Sequence, residues 1–216
     1  WVVPQFAEIF GSFGRQLPGP TRLLIAISET LRSYKAFIFL GVFVGLIIAV
    51  RIYGKTPAGK FQLDALKLRL PVFGALLRKV AISRVARTLS TLTRSGVAIL
   101  QALEIVERTA GNEVFAKAVR MAGDSVRAGE TLADPLARSE QFPAMVTRMI
   151  AVGEKTGALE SMLSKISDFY DSEVKATVDG LTSLIEPILI MMMGIVVGGI
   201  VVALFMPILQ LSSLVQ

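Results

Sequence analysis

The residues that could do chemistry in this chain are few, and their types exclude most reactions. Cysteine and histidine are both absent from the 216 residues. That removes the thiol nucleophile, the commonest general base and the commonest transition-metal ligand. A Ser-His-Asp arrangement cannot be assembled. Asp168, Asp171 and Glu173 have the composition of a metal cluster. At helical spacing Asp168 and Asp171 share a face while Glu173 turns away, and no glycine-bearing calcium loop surrounds them, so they read as a solvated helix face. Gly54-Lys55-Thr56 has the form of a phosphate-loop ending. Ala49 stands where that pattern needs its first glycine, however, and an apolar run precedes it instead of a strand. The expectation is a protein that is not an enzyme and holds no cofactor or metal.

The elements that carry these residues are set by charge and apolar patterning. The chain is 53% hydrophobic, which suits two membrane spans plus a globular part. One apolar run extends from Tyr34 to Tyr53, and a second, Ile188 to Leu209, has no charged side chain. Roughly 20 apolar helical residues cross a bilayer core. Residues 51–100 carry ten Lys/Arg against Asp64 alone, whereas residues 101–186 carry nine Lys/Arg and fourteen Asp/Glu. Basic residues close to span ends mark the cytoplasmic side. The expected layout is a periplasmic segment 1–33, a transmembrane helix 34–53, a juxtamembrane basic amphipathic segment 54–78, a cytoplasmic helical bundle 79–180, a transmembrane helix 187–209 and a periplasmic tail 210–216. The basic excess beside a span points to anionic lipid and away from nucleic acid. The chain begins at Trp1 without a signal peptide and reads as the C-terminal part of a longer protein.

Local signals divide the middle into helices. Leu17–Pro20 is a turn and Thr21–Ser33 a short helix. The stretch Lys60–Leu70 either lies along the membrane surface or packs on the soluble domain. Helices are expected over Lys79–Ser95, Val97–Thr109 and Glu113–Ala128, with Gly96, Gly111 and Gly129 as their stops and Asn112 as an N-cap. Thr131 with Asp134 suggests a capping box for a short fourth helix. A fifth opens at Phe142-Pro143 and reaches Lys155, and a sixth starts near Ala158 and runs past Lys175. Short turns between such helices give an all-α, antiparallel six-helix bundle flanked by two transmembrane helices. Pro187, after Glu186, should kink or restart the last helix. Gly41–Gly45 and Gly194–Gly198 are small-residue pairs for helix packing in membranes, within one chain or between copies. Glu186, ionisable at the edge of a span, is a functional candidate or a structural one.

Gly153-Glu154-Lys155-Thr156-Gly157-Ala158-Leu159 reads, by itself, as helix, tight turn, helix. Together with other stretches it carries a resemblance. Val2-Val3-Pro4-Gln5-Phe6, Leu17-Pro18 and Pro20-Thr21-Arg22 come first, followed by Leu70-Pro71-Val72-Phe73-Gly74 and Arg84-Val85-Ala86-Arg87-Thr88-Leu89-Ser90. Ser95-Gly96-Val97, Ala102-Leu103-Glu104, the Gly153–Leu159 stretch and Glu186-Pro187 complete the series. In this order they resemble the C-terminal half of the polytopic inner-membrane platform proteins of type II secretion and type IV pilus machines. The resemblance implies a second cytoplasmic domain with the last two of three spans, in the bacterial inner membrane. It implies a scaffold that couples a cytoplasmic assembly ATPase to pilins or pseudopilins, beside other inner-membrane assembly proteins and as a homo-oligomer. Candidate partner contacts are Arg84, Arg87, Arg94, Gly153, Glu154 and Gly157, with some of the arginines serving folding or lipid. Gly41, Gly45, Gly194, Gly198, Glu186 and Pro187 are the candidates for membrane helix packing. Val2–Phe6 with Ser12-Phe13-Gly14 inclines the reading to the pilus branch. The alternative is a subunit of an oligomeric transporter or channel, although neither span has a polar stripe. An intramembrane hydrolase ranks third, lacking a buried carboxylate pair.

Overall fold

The computed structural model describes residues 34–212 together with Gly19, Arg22 and Ala26. The motifs and turn expected in the first 33 residues lie almost wholly outside the described residues. Eight helices are designated here: α1 Tyr34–Tyr53, α2 Pro57–Arg69, α3 Phe73–Arg94, α4 Ile99–Thr109, α5 Glu113–Arg127, α6 Ala133–Arg138, α7 Ala144–Thr156 and α8 Leu159–Ser212. There is no strand among the described residues, so the chain is all-α as its patterning predicts. It divides into two compact units, residues 51–181 and residues 1–50 with 182–216.

The 51–181 unit is built on apolar stripes that recur at helical spacing. On α3 the buried apolar side chains are Ala81, Ile82, Val85, Ala86 and Leu89; on α5 they are Phe115, Ala116, Ala118, Val119 and Ala122. Leu103 and Val106 of α4, Val146 and Ile150 of α7, and Leu163 and Ile166 of α8 close the same cluster. Phe115 and Phe142 meet edge to face, ring centroids 5.3 Å apart at 81°, the arrangement that ring quadrupoles favour.

The turns follow the expected chemistry. Gly96, Gly111, Gly129 and Gly157 all have positive φ, a region that costs glycine nothing and other residues strain. Asn112 caps α5 by accepting from the Val114 N–H at 2.9 Å. The capping box at Thr131 does not form. Its hydroxyl donates to the Asp134 carboxylate at 2.7 Å instead, and the N-cap position of α6 falls on Leu132.

Helix α2 packs on the bundle, against α3 and α5, as the second reading of this stretch expects. Thr56 caps it by accepting from the Gly59 N–H at 3.1 Å, with Pro57 in the first turn. Asp64 is buried, accepts from the Glu113 N–H at 2.9 Å and pairs with Lys67 at 2.8 Å. Lys60 reaches Glu113 at 3.0 Å. Helix α3 starts at Phe73, earlier than Lys79, because the break at Leu70–Val72 is only a corner. At that corner Val72 has φ 68° and ψ −59°, closed by a Phe73 N–H to Pro71 carbonyl bond of 2.8 Å. This is a γ-turn of the positive-φ kind, which is rare and strained for a β-branched residue.

In the other unit, α8 passes through Pro187 without a break, so the helix does not restart there. Proline forfeits one hydrogen bond, and in an apolar helix the adjoining turns hold the backbone in register. By length and composition α8 is long enough and apolar enough to cross a membrane, with a mean hydropathy of 2.4 in its most apolar window. Helix α1 meets the same measure only when Ile38–Tyr53 is taken together with α2.

Candidate functional site

The sequence-derived contact residues fall on three parts of the 51–181 unit. The first is the seam between α3 and the start of α8, which run antiparallel. Lys79 pairs with Glu173 at 2.8 Å and donates to the Thr177 hydroxyl at 3.0 Å. Ser83 donates to Asp171, and Arg87 pairs with the same carboxylate. Arg94 reaches Glu160 at 2.8 Å. Asp171 and Glu173 are therefore interhelical clamps and not the solvated face their spacing suggests. Both carboxylates can reach α3 because flexible Arg and Lys stems extend around the edges of the seam. Among the described residues no group of three acidic side chains is placed to hold a metal ion. Next to Glu173, burial pushes the Tyr170 phenol above its ordinary pKa, and the carboxylate charge adds to the shift. A polar cleft of about 220 Å³ opens along the seam, lined by Arg87, Arg94, Ser90, Ser164, Ser167 and Asp168. The Ser167 hydroxyl is buried and has no hydrogen-bond partner among the described residues.

Arg84 forms the second part. It belongs to α3 but turns to the α4–α5 corner, where its guanidinium lies against Gly111 closely enough that an added Cβ would collide with it. It is exposed and has no ion-pair partner among the described residues. With Lys67 and Asn112 it lines a second cleft, of about 160 Å³.

The third part is the α7–α8 turn. Gly153 is buried, and a Cβ there would stand 2.9 Å from Leu159 Cα and 3.0 Å from Met162 Cγ. The glycine thus lets two helices approach. Gly157 ends α7 in the left-handed region at φ 71°. Glu154 accepts from the Leu132 N–H with both carboxylate oxygens, at 2.9 and 3.0 Å. It caps α6 from 22 residues away, a role that local sequence gave no means of finding. Removing this cap with Glu154→Ala should cost about 1 kcal/mol. Amide exchange over residues 132–138 is then expected to rise roughly fivefold, and unchanged exchange there would remove Glu154 from the capping role.

In the apolar unit, no described atom lies within 4 Å of a Cβ built on Gly41, Gly45, Gly194 or Gly198. Among the described residues these small-residue pairs are open to a neighbour and are not occupied by the chain itself. Glu186 sits in α8 one residue before Pro187 and is exposed.

An apolar helix long enough to span a bilayer, joined to an all-α bundle with ion pairs between its helices, is the pattern of a helical membrane protein. A family model described as "Type II secretion system (T2SS), protein F" matches residues 85–207. The chain belongs to the type II secretion system protein F family. It is 41% identical over 215 residues to type IV pilus assembly protein PilC of Myxococcus xanthus, covering 100% of this chain and 51% of that protein. It is 46% identical over 211 residues to PilC of Thermus thermophilus, covering 97% and 52%. To type II secretion system protein F of Pseudomonas aeruginosa it is 35% identical over 215 residues, covering 100% and 53%. The chain spans about half the length of the curated relatives it matches.

Proposed function

We propose that this chain forms part of an inner-membrane platform that couples a cytoplasmic assembly ATPase to pilin or pseudopilin assembly. The observation that carries the reading is family membership, with relatives named for type IV pilus assembly and type II secretion. The 51–181 unit is the cytoplasmic part and acts as a scaffold, not an enzyme. Its basic side chains meet the ATPase, and the open glycine pairs Gly41–Gly45 and Gly194–Gly198 meet other membrane helices, of pilins or of a second copy.

Among the candidate contacts, Arg84 is the strongest. Arg87 and Arg94 already pair with Asp171 and Glu160, and Gly153, Glu154 and Gly157 shape the α7–α8 turn. An exposed guanidinium without an ion-pair partner among the described residues is suited to a carboxylate on another protein. A photo-crosslinker at Arg84 of the whole protein, in native membranes, is expected to capture a hexameric ATPase, with pilins captured from the spans. Capture of only lipid or further copies of the chain would move the transporter or plain oligomeric-scaffold reading ahead.

A further inference from the structure

We propose that the α2–α3 corner is a membrane wedge that seats in the headgroup boundary of an anionic lipid leaflet. Four large apolar side chains stand at this corner with their surfaces uncovered: Leu66 is 59% exposed, Leu70 47%, Val72 55% and Phe73 60%. Leu66 and Leu70 are one turn apart at the end of α2, Val72 stands in the turn and Phe73 begins α3, so all four belong to one corner of the chain. Scattered apolar residues on a surface need no explanation, but a contiguous cluster rimmed by polar groups marks a contact site.

The charge around the patch selects the occupant. Arg69 and Arg78 flank it, both exposed and both without an ion-pair partner among the described residues. Lys67 and Lys79 add two further cations, each paired to one carboxylate. The sole acid in residues 51–100, Asp64, is buried in the bundle and gives the rim no negative charge to meet a basic partner. An apolar tip within a cationic rim matches acyl chains below anionic headgroups.

The strained backbone fits the same use. A valine at φ 68° is held against its preference in a turn whose side chains bury little within the bundle. At the next position but one, a Cβ on buried Gly74 would collide with the Leu68 carbonyl, so the corner is fixed tightly from beneath. A rigid corner presents its apolar tip without ordering a loop on contact.

The chain has a single tryptophan, Trp1, so Phe73→Trp in a Trp1→Phe background gives one emitter. The full chain is reconstituted alone into liposomes containing phosphatidylglycerol, with and without acyl-brominated lipid. Phe73→Trp is expected to emit blue-shifted light and to be quenched by bromine several-fold more strongly than Met121→Trp, a 48% exposed position on α5. Adding Arg69→Gln and Arg78→Gln should lower the docked fraction by roughly fivefold per arginine, and replacing phosphatidylglycerol by phosphatidylcholine should do the same. Water-like emission with no more quenching than the control would overturn the wedge. So would a blue shift without quenching, which would put protein, such as a second copy, over the corner. Leu70→Trp is the parallel probe, and unchanged helical circular dichroism is required of each variant. No other protein is present, so the outcome is independent of any ATPase contact.

Discussion

Phe115→Ala is expected to lower the stability of the 51–181 unit by about 3–5 kcal/mol. The side chain is fully buried, and its ring meets Phe142 edge to face at 5.3 Å. It lies on α5 and touches a residue from the α6–α7 connection, so truncation opens a cavity where separate parts of the bundle converge. The surrounding interior offers little slack: the space among Ile82, Leu89, Leu103, Val119, Phe142 and Leu163 amounts to about 10 Å³, no more than one water requires. Against a domain stability of roughly 5–15 kcal/mol the loss is a large fraction. Denaturant unfolding of the solubilised chain measures it, with Phe169→Ala as the control, since that ring is 45% exposed. If the two substitutions cost the same, Phe115 is not the core residue described.

Asp64→Ala should release α2 while leaving the rest of the bundle folded, at a cost of about 1–3 kcal/mol. The carboxylate is buried and accepts the Glu113 N–H, a donor at the first turn of α5 that the helix cannot satisfy itself. It also holds Lys67, although that lysine is 56% exposed and its share is discounted for solvent screening. Asp64→Asn separates the contributions, because the amide oxygen still accepts from Glu113 while the charge is gone. Hydrogen exchange is the measure: residues 57–69 should exchange faster in Asp64→Ala, residues 144–156 should not, and Asp64→Asn should fall between parent and Ala. Equal acceleration in both stretches would mean that Asp64 supports the whole domain and does not serve as the tie of α2.

What could be read from the sequence was local. Gly96, Gly111, Gly129 and Gly157 announced turns because positive φ favours glycine, and all four adopt it. Asn112 announced the start of α5 because its side chain reaches only two residues ahead. The same logic failed where a partner is remote. Thr131 and Asp134 had capping-box spacing, but the Leu132 N–H is taken by Glu154, from another helix. Asp64 lies 49 residues from the amide it accepts, and Asp171 and Glu173 are bonded to residues about ninety positions earlier. No periodicity encodes such pairs, since each depends on how finished helices are laid together. The candidate contacts divide the same way. Gly153 and Glu154 stood out as a sequence, yet their unusual character is spent inside the fold, whereas Arg84, ordinary in its local pattern, is the arginine of the three left without an ion-pair partner among the described residues.

The rungs between α3 and α8 also have a mechanical meaning. Lys79–Glu173, Arg87–Asp171 and Arg94–Glu160 are spread over four turns of antiparallel helix. A pull along the axis of α8 slides one helix past the other and loads every rung together. A sideways peel opens them in succession, each alone against the load. The seam is thus stiff in shear and weak in peel, the properties of a catch that holds under axial tension and lets go when levered from the side.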